Sequence, residues 1–513
     1  MTSGSARPRH MPVPRFLSTA LCASLVLFAA PPGVAQPAPA SAGPALASRQ
    51  ARMQVSLDHL DWLRRPVQVA GKGTLVTWQI YAGPVRPGDR SGPFRFLDAP
   101  GEGLGCVDDV ARAAIVYLWD HEATGRRASL ERALEALRFV RAMRAADGTY
   151  YNFVASDGRI NRTGSTSAPG LNWWTARAFW ALAEGARLLA RVEPATAALL
   201  RLDCEATVRA LERDQQQRYG RFSGGLPAWL ASQAADVTSI FVLGLLALDR
   251  AAPSPLARRL AARYAEGIAA CERGDVGRYP YNAHLPSDAP GLWHSYGAHM
   301  LHALAAAGAA LGREDLLAAA RREADHFTAH LIISGGPLSA FTPQPVPFPQ
   351  IAYGVSSTGL GLLELARATG EGRYARMAAL LASWLDGNNA SGAPMFDGRS
   401  GRFWDGLDAK GPSENSGAES TIEGLLLLLR LARHPELAPF LHAREVARAP
   451  APVVGGREIV EAGPAGAEYR VFALGRGHVA LVRNLTQDRL EVRLPGLVRP
   501  LALPAAASVM VAY

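Results

Sequence analysis

Cysteine and lysine are scarce in this chain, and each shortage excludes a class of protein. Four cysteines among 513 residues are too few for a disulfide framework, and none has the spacing of metal-ligating residues. Lysine occurs only at Lys72 and Lys410, so the net charge of +9 rests on arginine. No basic run carries the interleaved aromatic residues of a nucleic-acid-binding surface. We therefore predict no metal site and no nucleic-acid partner.

The motifs of several enzyme classes are missing as well. No glycine-rich phosphate loop follows a strand, no H-E-x-x-H pair occurs, and no serine nucleophile elbow is present. We therefore predict that the protein needs no cofactor. Beyond residue 30 no apolar segment is long enough to cross a bilayer, so no membrane span is predicted.

The first 52 residues have the composition of a targeting segment followed by a linker. Three arginines precede an apolar stretch, and small residues that suit cleavage follow it: Arg7, Arg9 and Arg15, then Phe16–Ala30, then Gly33–Ala35. We interpret residues 1–35 as a signal peptide and the Ala/Pro-rich residues 36–52 as a disordered linker. This interpretation predicts an exported protein, in the periplasm or outside the cell.

Six long loops rich in Gly, Trp, Asp and Asn each lead into a helical hairpin, at intervals of about 60 residues. The leading helices are predicted to begin near Val107, Asn172, Ala231, Leu292, Ala352 and Asn415, and their partners near Leu130, Ala195, Pro255, Arg313, Tyr374 and Glu436. A repeat that cannot bury its apolar face alone packs on its neighbours, and six hairpins can close into a ring. We therefore predict a mainly α (α/α)6 toroid, with the long loops gathered over the N-termini of the inner helices.

Short elements flank the predicted hairpins. Residues 53–67 are predicted to form a lead-in helix and residues 74–82 a strand, while the Ala/Pro-rich residues 448–454 are interpreted as a linker. Short alternating runs near the C-terminus predict a small antiparallel β-sandwich. The predicted domains are thus a catalytic barrel over residues 53–446 and a β-sandwich over residues 455–513.

Two adjacent carboxylates head the first inner helix, below a glycine-rich loop. Asp108 and Asp109 are followed by Arg112. One interpretation is structural, because aspartate suits a helix N-terminus and Asp109 has the i,i+3 spacing of an ion pair with Arg112. Capping explains one aspartate better than two, so we also predict a catalytic role for the pair.

A comparable polar group heads the sixth inner helix. Glu414 precedes the helix, and Glu419 lies at the capping-box distance from a serine, which is the structural alternative to a catalytic glutamate. If the ring closes, this group meets Asp108 and Asp109. Two carboxylates across a cleft are what glycosidic-bond cleavage needs. The predicted roles are base for Asp109 with Asp108 in support, acid for Glu414 or Glu419, and positioning of a carboxylate for Arg112.

Aromatic, amide and other polar side chains recur at the same end of several repeats. Aromatic rings pack on the C–H faces of sugars while amides and carboxylates bind hydroxyl groups, although core packing is the alternative for each ring. This pattern predicts a carbohydrate substrate. The predicted substrate-binding residues are Arg112, Asn172, Trp173, Trp174, Asp236, Trp293, His294, Tyr296 and Trp404.

Three segments carry a resemblance to a known group. Residues 107–113 (VDDVARA), 149–153 (TYYNF) and 176–182 (ARAFWAL) are similar to the motifs VDDNARA, R-F/Y-N-F and W/G-R-A-x-W-A-L of a bacterial group among the six-hairpin (α/α)6-barrel carbohydrate-active enzymes. Val110 stands where that group has asparagine. The resemblance implies the barrel and carbohydrate chemistry. Wider families with this fold include inverting glycosidases, polysaccharide lyases and sugar epimerases, so the resemblance leaves the reaction open.

Three functional hypotheses remain at this stage. The first is a secreted glycoside hydrolase that cleaves a poly- or oligosaccharide. The second is a lyase acting on a uronic-acid polymer, with Tyr296 or His294 as base and acid; the paired carboxylates count against it. The third is a non-catalytic glycan-binding envelope protein. The predicted export disfavours an epimerase of small cytosolic sugars.

Overall fold

The computed structural model describes residues 55–98, 102–286, 293–341, 344–449 and 466–513. The predicted signal peptide (residues 1–35), the predicted linker (residues 36–52) and the start of the predicted β-sandwich lie outside these ranges. Within the described ranges, no helix combines the length and the apolar character that crossing a membrane requires.

The described chain contains the six predicted hairpins. A short helix, α1 (Asp58–Trp62), precedes them. The six pairs, with the inner helix first, are α2 (Val107–Thr124) and α3 (Arg127–Ala142); α4 (Trp173–Leu188) and α5 (Pro194–Gln216); α6 (Ala235–Ala251) and α7 (Pro255–Ala269); α8 (Met300–Leu311) and α9 (Glu314–Glu323); α11 (Ala352–Thr369) and α12 (Gly372–Ala382); and α13 (Ala418–Leu431) and the short α14 (Ala438–Leu441). In the fourth pair, α9 continues through a π turn (Ala324–Thr328) into α10 (Ala329–Ser334).

The inner helices form a closed ring because they are apolar on almost every face. In α6, for example, all residues from Ala235 to Leu248 are buried, whereas the outer helices bury one stripe and expose the other. Each inner helix packs on the next, and α13 returns to pack on α2. The predicted mainly α (α/α)6 fold with a small C-terminal antiparallel β-region is therefore confirmed.

Short antiparallel strands order the long loops and the C-terminal region. In the loops they are β1 (Arg64–Val69), β2 (Gly73–Trp78), β3 (Tyr81–Pro84), β4 (Phe94–Leu97), β5 (Gly105–Cys106), β6 (Phe153–Val154), β7 (Phe222–Ser223), β8 (Leu226–Pro227), β9 (Glu272–Asp275), β10 (Arg278–His284), β11 (Trp293–His294), β12 (Ala340–Phe341), β13 (Pro345–Val346), β14 (Gln350–Ile351), β15 (Phe396–Asp397), β16 (Arg402–Phe403), β17 (Gly406–Asp408) and β18 (Gly411–Pro412). The C-terminal strands are β19 (Arg444–Ala449), β20 (Ala467–Ala473), β21 (His478–Asn484), β22 (Leu490–Val492), β23 (Leu501–Leu503) and β24 (Ser508–Ala512); they form one sheet in the order β19-β20-β21-β24 and a separate pair, β22-β23.

Three local predictions are wrong, each because strand pairing competes with a local pattern. The fourth inner helix begins at Met300 rather than near Leu292, since β11 pairs with β12 before the helix starts. The lead-in helix ends at Trp62, and β1 and β2 then form a hairpin. The predicted linker at residues 448–454 overlaps β19, whose partner is β20.

A buried arginine joins the C-terminal sheet to the barrel. Arg470 on β20 donates from Nη1 to the carbonyl of Ile332 (2.8 Å) and from Nη2 to the carbonyl of Asn388 (3.2 Å). Its Nε and Nη2 bind Glu445 at 3.0 and 2.6 Å. Burial lowers the pKa of Arg470 to about 10. Arg470 thus links the sheet to the carbonyl of Ile332 in α10 and to the carbonyl of Asn388.

The close packing of α4 on α6 generates a stability prediction. A Cβ added at Gly244 would lie 2.5 and 2.7 Å from the ring of Phe179 and 3.2 Å from the backbone of Trp180. We expect Gly244→Ala to lower the free energy of unfolding by about 1–3 kcal/mol, because a dense core resists an added methyl group. Gly372→Ala is the matched control, since no atom other than the end of a flexible arginine lies within 4 Å there; it should be neutral or stabilising by about 0.4–1 kcal/mol. Urea denaturation of both variants checks this, and equal effects would contradict it.

Candidate active site

Asp108, Asp109 and Glu419 do not serve as helix caps. The N-cap of α2 is Cys106, whose Sγ accepts the backbone N–H of Asp109 at 3.4 Å. The start of α13 is held by Asp405 from the preceding loop, whose Oδ1 accepts the backbone N–H of Gly417 at 3.0 Å and the hydroxyl of Ser420 at 2.6 Å. The capping-box interpretation of Glu419 is therefore wrong, because a loop aspartate already does that work.

Arg112 lies at the centre of a carboxylate cluster formed by the first and last inner helices. Its Nη1 donates to Glu423 at 2.6 Å, and its Nη2 donates to Asp109 at 2.8 Å and to Glu419 at 3.2 Å. Asp108 Oδ2 lies 3.5 Å from the same Nη2. Because α13 follows α2 by about 300 residues, this cluster exists only when the ring is closed.

A second buried arginine extends the cluster across the ring. Arg177 on α4 donates to Asp108 and to the hydroxyl of Tyr353 on α11. The guanidinium carbons of Arg177 and Arg112 each lie 5.1 Å from the centre of the Tyr353 ring. Trp173 lies 5.1 Å from the Arg177 guanidinium carbon. Four inner helices therefore contribute to one charged group.

A glycine permits the wall around this group to close. Gly297 has a φ of 65°, and a Cβ there would lie 2.3 Å from the ring of Trp173 and 2.6 Å from the hydroxyl of Tyr353. A side chain at Gly297 would therefore be strained and would push both aromatic residues away from Arg177.

Burial divides the carboxylates into two kinds. Asp109 and Glu423 have side chains that are 4% and 0% exposed, whereas those of Asp108 and Glu419 are 19% and 46% exposed. Burial raises the pKa of Asp109 to about 7 against the opposing attraction of Arg112, and the negative charges of Glu419 and Asp108 add to the rise. Burial likewise raises the pKa of Glu423. Asp108 and Glu419 are thus the members of the cluster that a ligand can reach.

A histidine–carboxylate pair forms another part of the open end. His294 Nε2 lies 3.1 Å from Asp236 Oδ2, and its Nδ1 is buried without a hydrogen-bond partner in the described residues. The rings of His294 and Tyr296 are 6.0 Å apart. Burial raises the pKa of Tyr296, and the negative charge of Glu419 contributes. Tyr296 is therefore close enough to Glu419 for the charge of the glutamate to act on it. Through Tyr296, the His294–Asp236 pair borders the carboxylate cluster.

Other predicted site residues are placed differently. Asn172 is the N-cap of α4, with Oδ1 accepting the N–H of Thr175 at 3.2 Å. Trp174 is buried and donates from Nε1 to the carbonyl of Tyr150 at 2.7 Å. The side chain of Trp293 lies outside the described part of the chain, although its backbone belongs to β11.

Trp404 and Glu414 stand together beside a third arginine. The guanidinium carbon of Arg90 lies 3.9 Å from the centre of the Trp404 ring. Burial lowers the pKa of Arg90, and the negative charge of Glu414 opposes that shift. Neither Glu414 nor Trp404 contacts Arg112 or Arg177 through a hydrogen bond among the described residues. The structure thus brings Asp108, Asp109, Arg112, Glu419 and Trp173 together and leaves Glu414 and Trp404 to one side.

The acidic cluster also has the spacing of a possible cation site. Oxygen atoms of Asp108, Asp109 and Glu419 lie within 4.8 Å of one another. Arg112 already donates to two of these carboxylates. Its positive charge thus occupies the place that a cation would take among them. The predicted absence of a metal stays a prediction.

Three residues that organise the site were not among the predicted site residues. Arg177, which lies within the resemblance motif, is a buried charged residue in a mostly apolar helix, and that contrast was a usable signal. Glu423 falls one helical turn after Glu419, the spacing that places two side chains on one face. Tyr353 follows a long loop like the other site residues, but nothing local distinguishes it from a core tyrosine.

Comparison with known proteins defines the class of fold. No protein-family model matches the chain, and no curated protein matches its sequence. A sugar epimerase from a ruminal bacterium is 13% identical, with a TM-score of 0.54 over 75% of this chain and 98% of that one. A D-mannose isomerase is 13% identical, with a TM-score of 0.51 over 76% of this chain and all of that one (100%). An unsaturated glucuronyl hydrolase from Bacillus sp. GL1 is 20% identical, with a TM-score of 0.46 over 69% and 91% of the two chains.

These similarities establish a shared architecture. The chain has the six-hairpin (α/α)6 fold, as the sequence motifs predicted. At such low sequence identity the fold alone is shared, so the reaction has to be argued from the side chains at the open end.

The raised pKa of Asp109 generates a prediction about pH. The folded protein keeps a proton that the unfolded chain releases between the ordinary pKa of 3.8 and about 7, so this residue makes stability fall as pH rises through that window and then level off. In Asp109→Asn this contribution is absent. We therefore expect the stability of the variant relative to wild type, measured as the difference between their free energies of unfolding, to increase by roughly 4 kcal/mol from pH 4 to pH 7.

Urea denaturation across this pH range measures the effect. Asp488→Asn is the control, because Asp488 is exposed and should leave the pH dependence unchanged. A constant difference between Asp109→Asn and wild type at every pH would show that folding does not raise the pKa of Asp109.

Proposed function

We propose that the protein is a carbohydrate-active enzyme, and specifically a glycoside hydrolase that cleaves a poly- or oligosaccharide. The observation that carries this proposal is the pair of reachable carboxylates, Asp108 and Glu419, above a buried arginine at the open end of the ring. The fold neighbours named as a sugar epimerase and a D-mannose isomerase support carbohydrate as the substrate class. Export of the mature protein, inferred from residues 1–35, is part of the same proposal.

The charge of the cluster suits the transition state of glycosidic cleavage. Four carboxyl groups surround Arg112, and the one other arginine bonded to them in the described chain is Arg177. Burial keeps a proton on Asp109 up to a pKa of about 7 and also raises the pKa of Glu423, so the reachable carboxylates of Asp108 and Glu419 are the negative groups that face a ligand. A developing oxocarbenium ion is positive, so such a site stabilises the transition state more than the neutral substrate.

We assign the reacting groups by exposure. Glu419, which is about half exposed, is the proton donor to the leaving oxygen and later the base that activates water. Asp108 is held in place by Arg177 and Arg112 and faces the sugar carbon. Asp109 and Glu423 are buried and each is bonded to Arg112, so their role is to hold Arg112. This assignment replaces the base predicted at Asp109 by a nucleophile at Asp108, and it gives the role of base to Glu419.

The lyase hypothesis is less well supported by these contacts. A lyase needs a free cation to neutralise the uronate carboxylate of its substrate. Arg112 and Arg177 are both engaged by carboxylates of the protein, and the reachable carboxylates of Asp108 and Glu419 would repel a uronate.

A sugar isomerase or epimerase is a second candidate, favoured by one observation. The side chain of His294 is 22% exposed and pairs through Nε2 with Asp236, and a histidine oriented by a carboxylate can move a proton next to a carbonyl. This reaction would convert one sugar into another without releasing new reducing ends. Turnover would then depend on His294 rather than on Asp108.

Substitution of the two reachable carboxylates tests the hydrolase. We expect Asp108→Asn and Glu419→Gln each to lower kcat by about 100-fold to 10,000-fold, the range for loss of a positioned acid or base. Melting temperatures check that the variants fold. Glu414→Gln is the matched control; it removes a nearby carboxylate outside the Arg112 cluster and should retain most activity.

The assay is incubation of the mature chain with neutral and acidic polysaccharides, following reducing ends, the ultraviolet absorbance of unsaturated uronates, and sugar composition together. New reducing ends without absorbance support the hydrolase. Absorbance would establish a lyase, and a changed sugar without new reducing ends would establish the epimerase. Full activity in both Asp108→Asn and Glu419→Gln would remove the proposed site.

The spacing of the carboxylates predicts the stereochemistry of hydrolysis. The nearest oxygens of Asp108 and Glu419 lie within 4.8 Å, shorter than the roughly 6.5–9.5 Å that leaves room for an attacking water in inverting enzymes. We therefore expect retention of anomeric configuration. Proton NMR of the first product formed decides this. Inversion would mean that another group activates water, and Asp236 with His294 would be the next pair to substitute.

A further inference from the structure

A second polar pocket lies away from the Arg112 cluster, on the outer wall between α5 and α7. Its volume is roughly 310 Å³, enough for a single sugar ring. The residues that line it are Glu212, Gln215, Gln216, Tyr219, Arg259, Leu260 and Arg263. None of them belongs to the site described above.

One side chain in the wall of this pocket has unmet hydrogen-bonding capacity. Gln215 is 0% exposed, and neither its amide oxygen nor its amide nitrogen has a hydrogen-bond partner in the described chain. An enclosed amide without partners is costly, on the order of 1–3 kcal/mol, and native proteins rarely keep one without a reason. A ligand with adjacent hydroxyl groups, each both donor and acceptor, would satisfy both ends of the amide.

One exposed aromatic ring lines the same pocket, and a second packs on the tryptophan that supports the first. Tyr219 lines it and is 41% exposed, and Phe222, three residues later in β7, is 61% exposed. Both rings pack edge-on against Trp229, with centroids 5.5 and 5.3 Å away. The indole Nε1 of Trp229 donates to the carbonyl of Arg263 at 2.8 Å. This framework keeps two large apolar faces in solvent, an arrangement that needs a reason in a stable surface.

Charged groups at the pocket are arranged for hydrogen bonding to a neutral ligand. Arg259 donates to Glu212 at 3.0 Å, which leaves other donor and acceptor atoms of that pair available. The guanidinium carbon of Arg263 lies 4.2 Å from the centre of the Tyr219 ring. The Tyr219 hydroxyl donates to Glu266 at 2.9 Å, so the ring is fixed from both sides.

From this combination we propose that the outer wall carries a second, non-catalytic saccharide-binding site. Tyr219 and Phe222 supply the apolar platform for the C–H face of a sugar unit, and Gln215, Glu212 and Arg259 bind its hydroxyl groups. The occupant is one sugar residue of a glycan chain. The site does not depend on the Arg112 cluster, and it would hold a glycan whether the protein hydrolyses it or not.

Binding is tested by affinity electrophoresis of the mature chain in gels that contain soluble xylan, mannan, mixed-linkage β-glucan or polygalacturonate. An Asp108→Asn background prevents cleavage during the run. We expect at least one polysaccharide to retard the protein, and Tyr219→Ala or Phe222→Ala to weaken the apparent affinity about fivefold or more. Leu202→Ala is the matched control, because Leu202 is also an exposed apolar residue of α5 (55% exposed) but lies outside the pocket.

A second variant separates binding from packing. Gln215→Leu removes the unpartnered amide at nearly constant volume, so the melting temperature should stay the same or rise while retardation weakens. Failure of all four polysaccharides to retard the protein would overturn the proposal. So would retardation that is unchanged in both aromatic variants. Full retardation in Gln215→Leu would show that the amide makes no contact with the glycan and would overturn the assignment of this pocket as the binding site.

Discussion

The ion cluster around Arg112 is the interaction on which the rest of the structure depends. It joins the first inner helix, α2, to the last, α13, so the closure of the ring and the assembly of the site are the same event. A buried guanidinium is costly unless its charge and its donors are matched, and removing one partner from such a cluster typically costs about 3–5 kcal/mol. Two partners of Arg112, Asp109 and Glu423, are themselves buried, and neither arginine nor carboxylate would be stable there alone.

Burial decides which carboxylates at the open end a ligand can reach. Burial protects Asp109 and Glu423 from ligand and shifts both pKa values upward. It leaves Asp108 and Glu419 at the surface of the cluster. Arg177 and Tyr353 extend the network to α4 and α11. The positions of the reachable carboxylates therefore depend on the packing of four inner helices. Chemistry at this end is therefore coupled to the stability of the whole ring.

The outer wall follows a different physical rule. Outer helices bury a single apolar stripe, and their other faces are free to vary without disturbing the ring. The pocket beside Gln215 lies between α5 and α7. In the two proposed sites, the barrel would therefore bind ligands in different ways. The Arg112 cluster would use charged groups that the ring holds in place, and the outer pocket would use aromatic rings that the core does not require.

The hairpins were predictable from the sequence because helical periodicity and loop composition are local, and five of the six inner helices begin within about four residues of the predicted positions. The paired aspartates and Glu419 were also recognisable, since no other segments concentrate carboxylates above an apolar helix. Tertiary structure alone decided the remainder: β11 delays α8 through pairing with β12, Asp405 caps α13 from a separate loop, and Tyr353 reaches Arg177 from a distant repeat. Such contacts join residues far apart in the chain, and their free energy depends on burial and charge in the folded state, which no local pattern records.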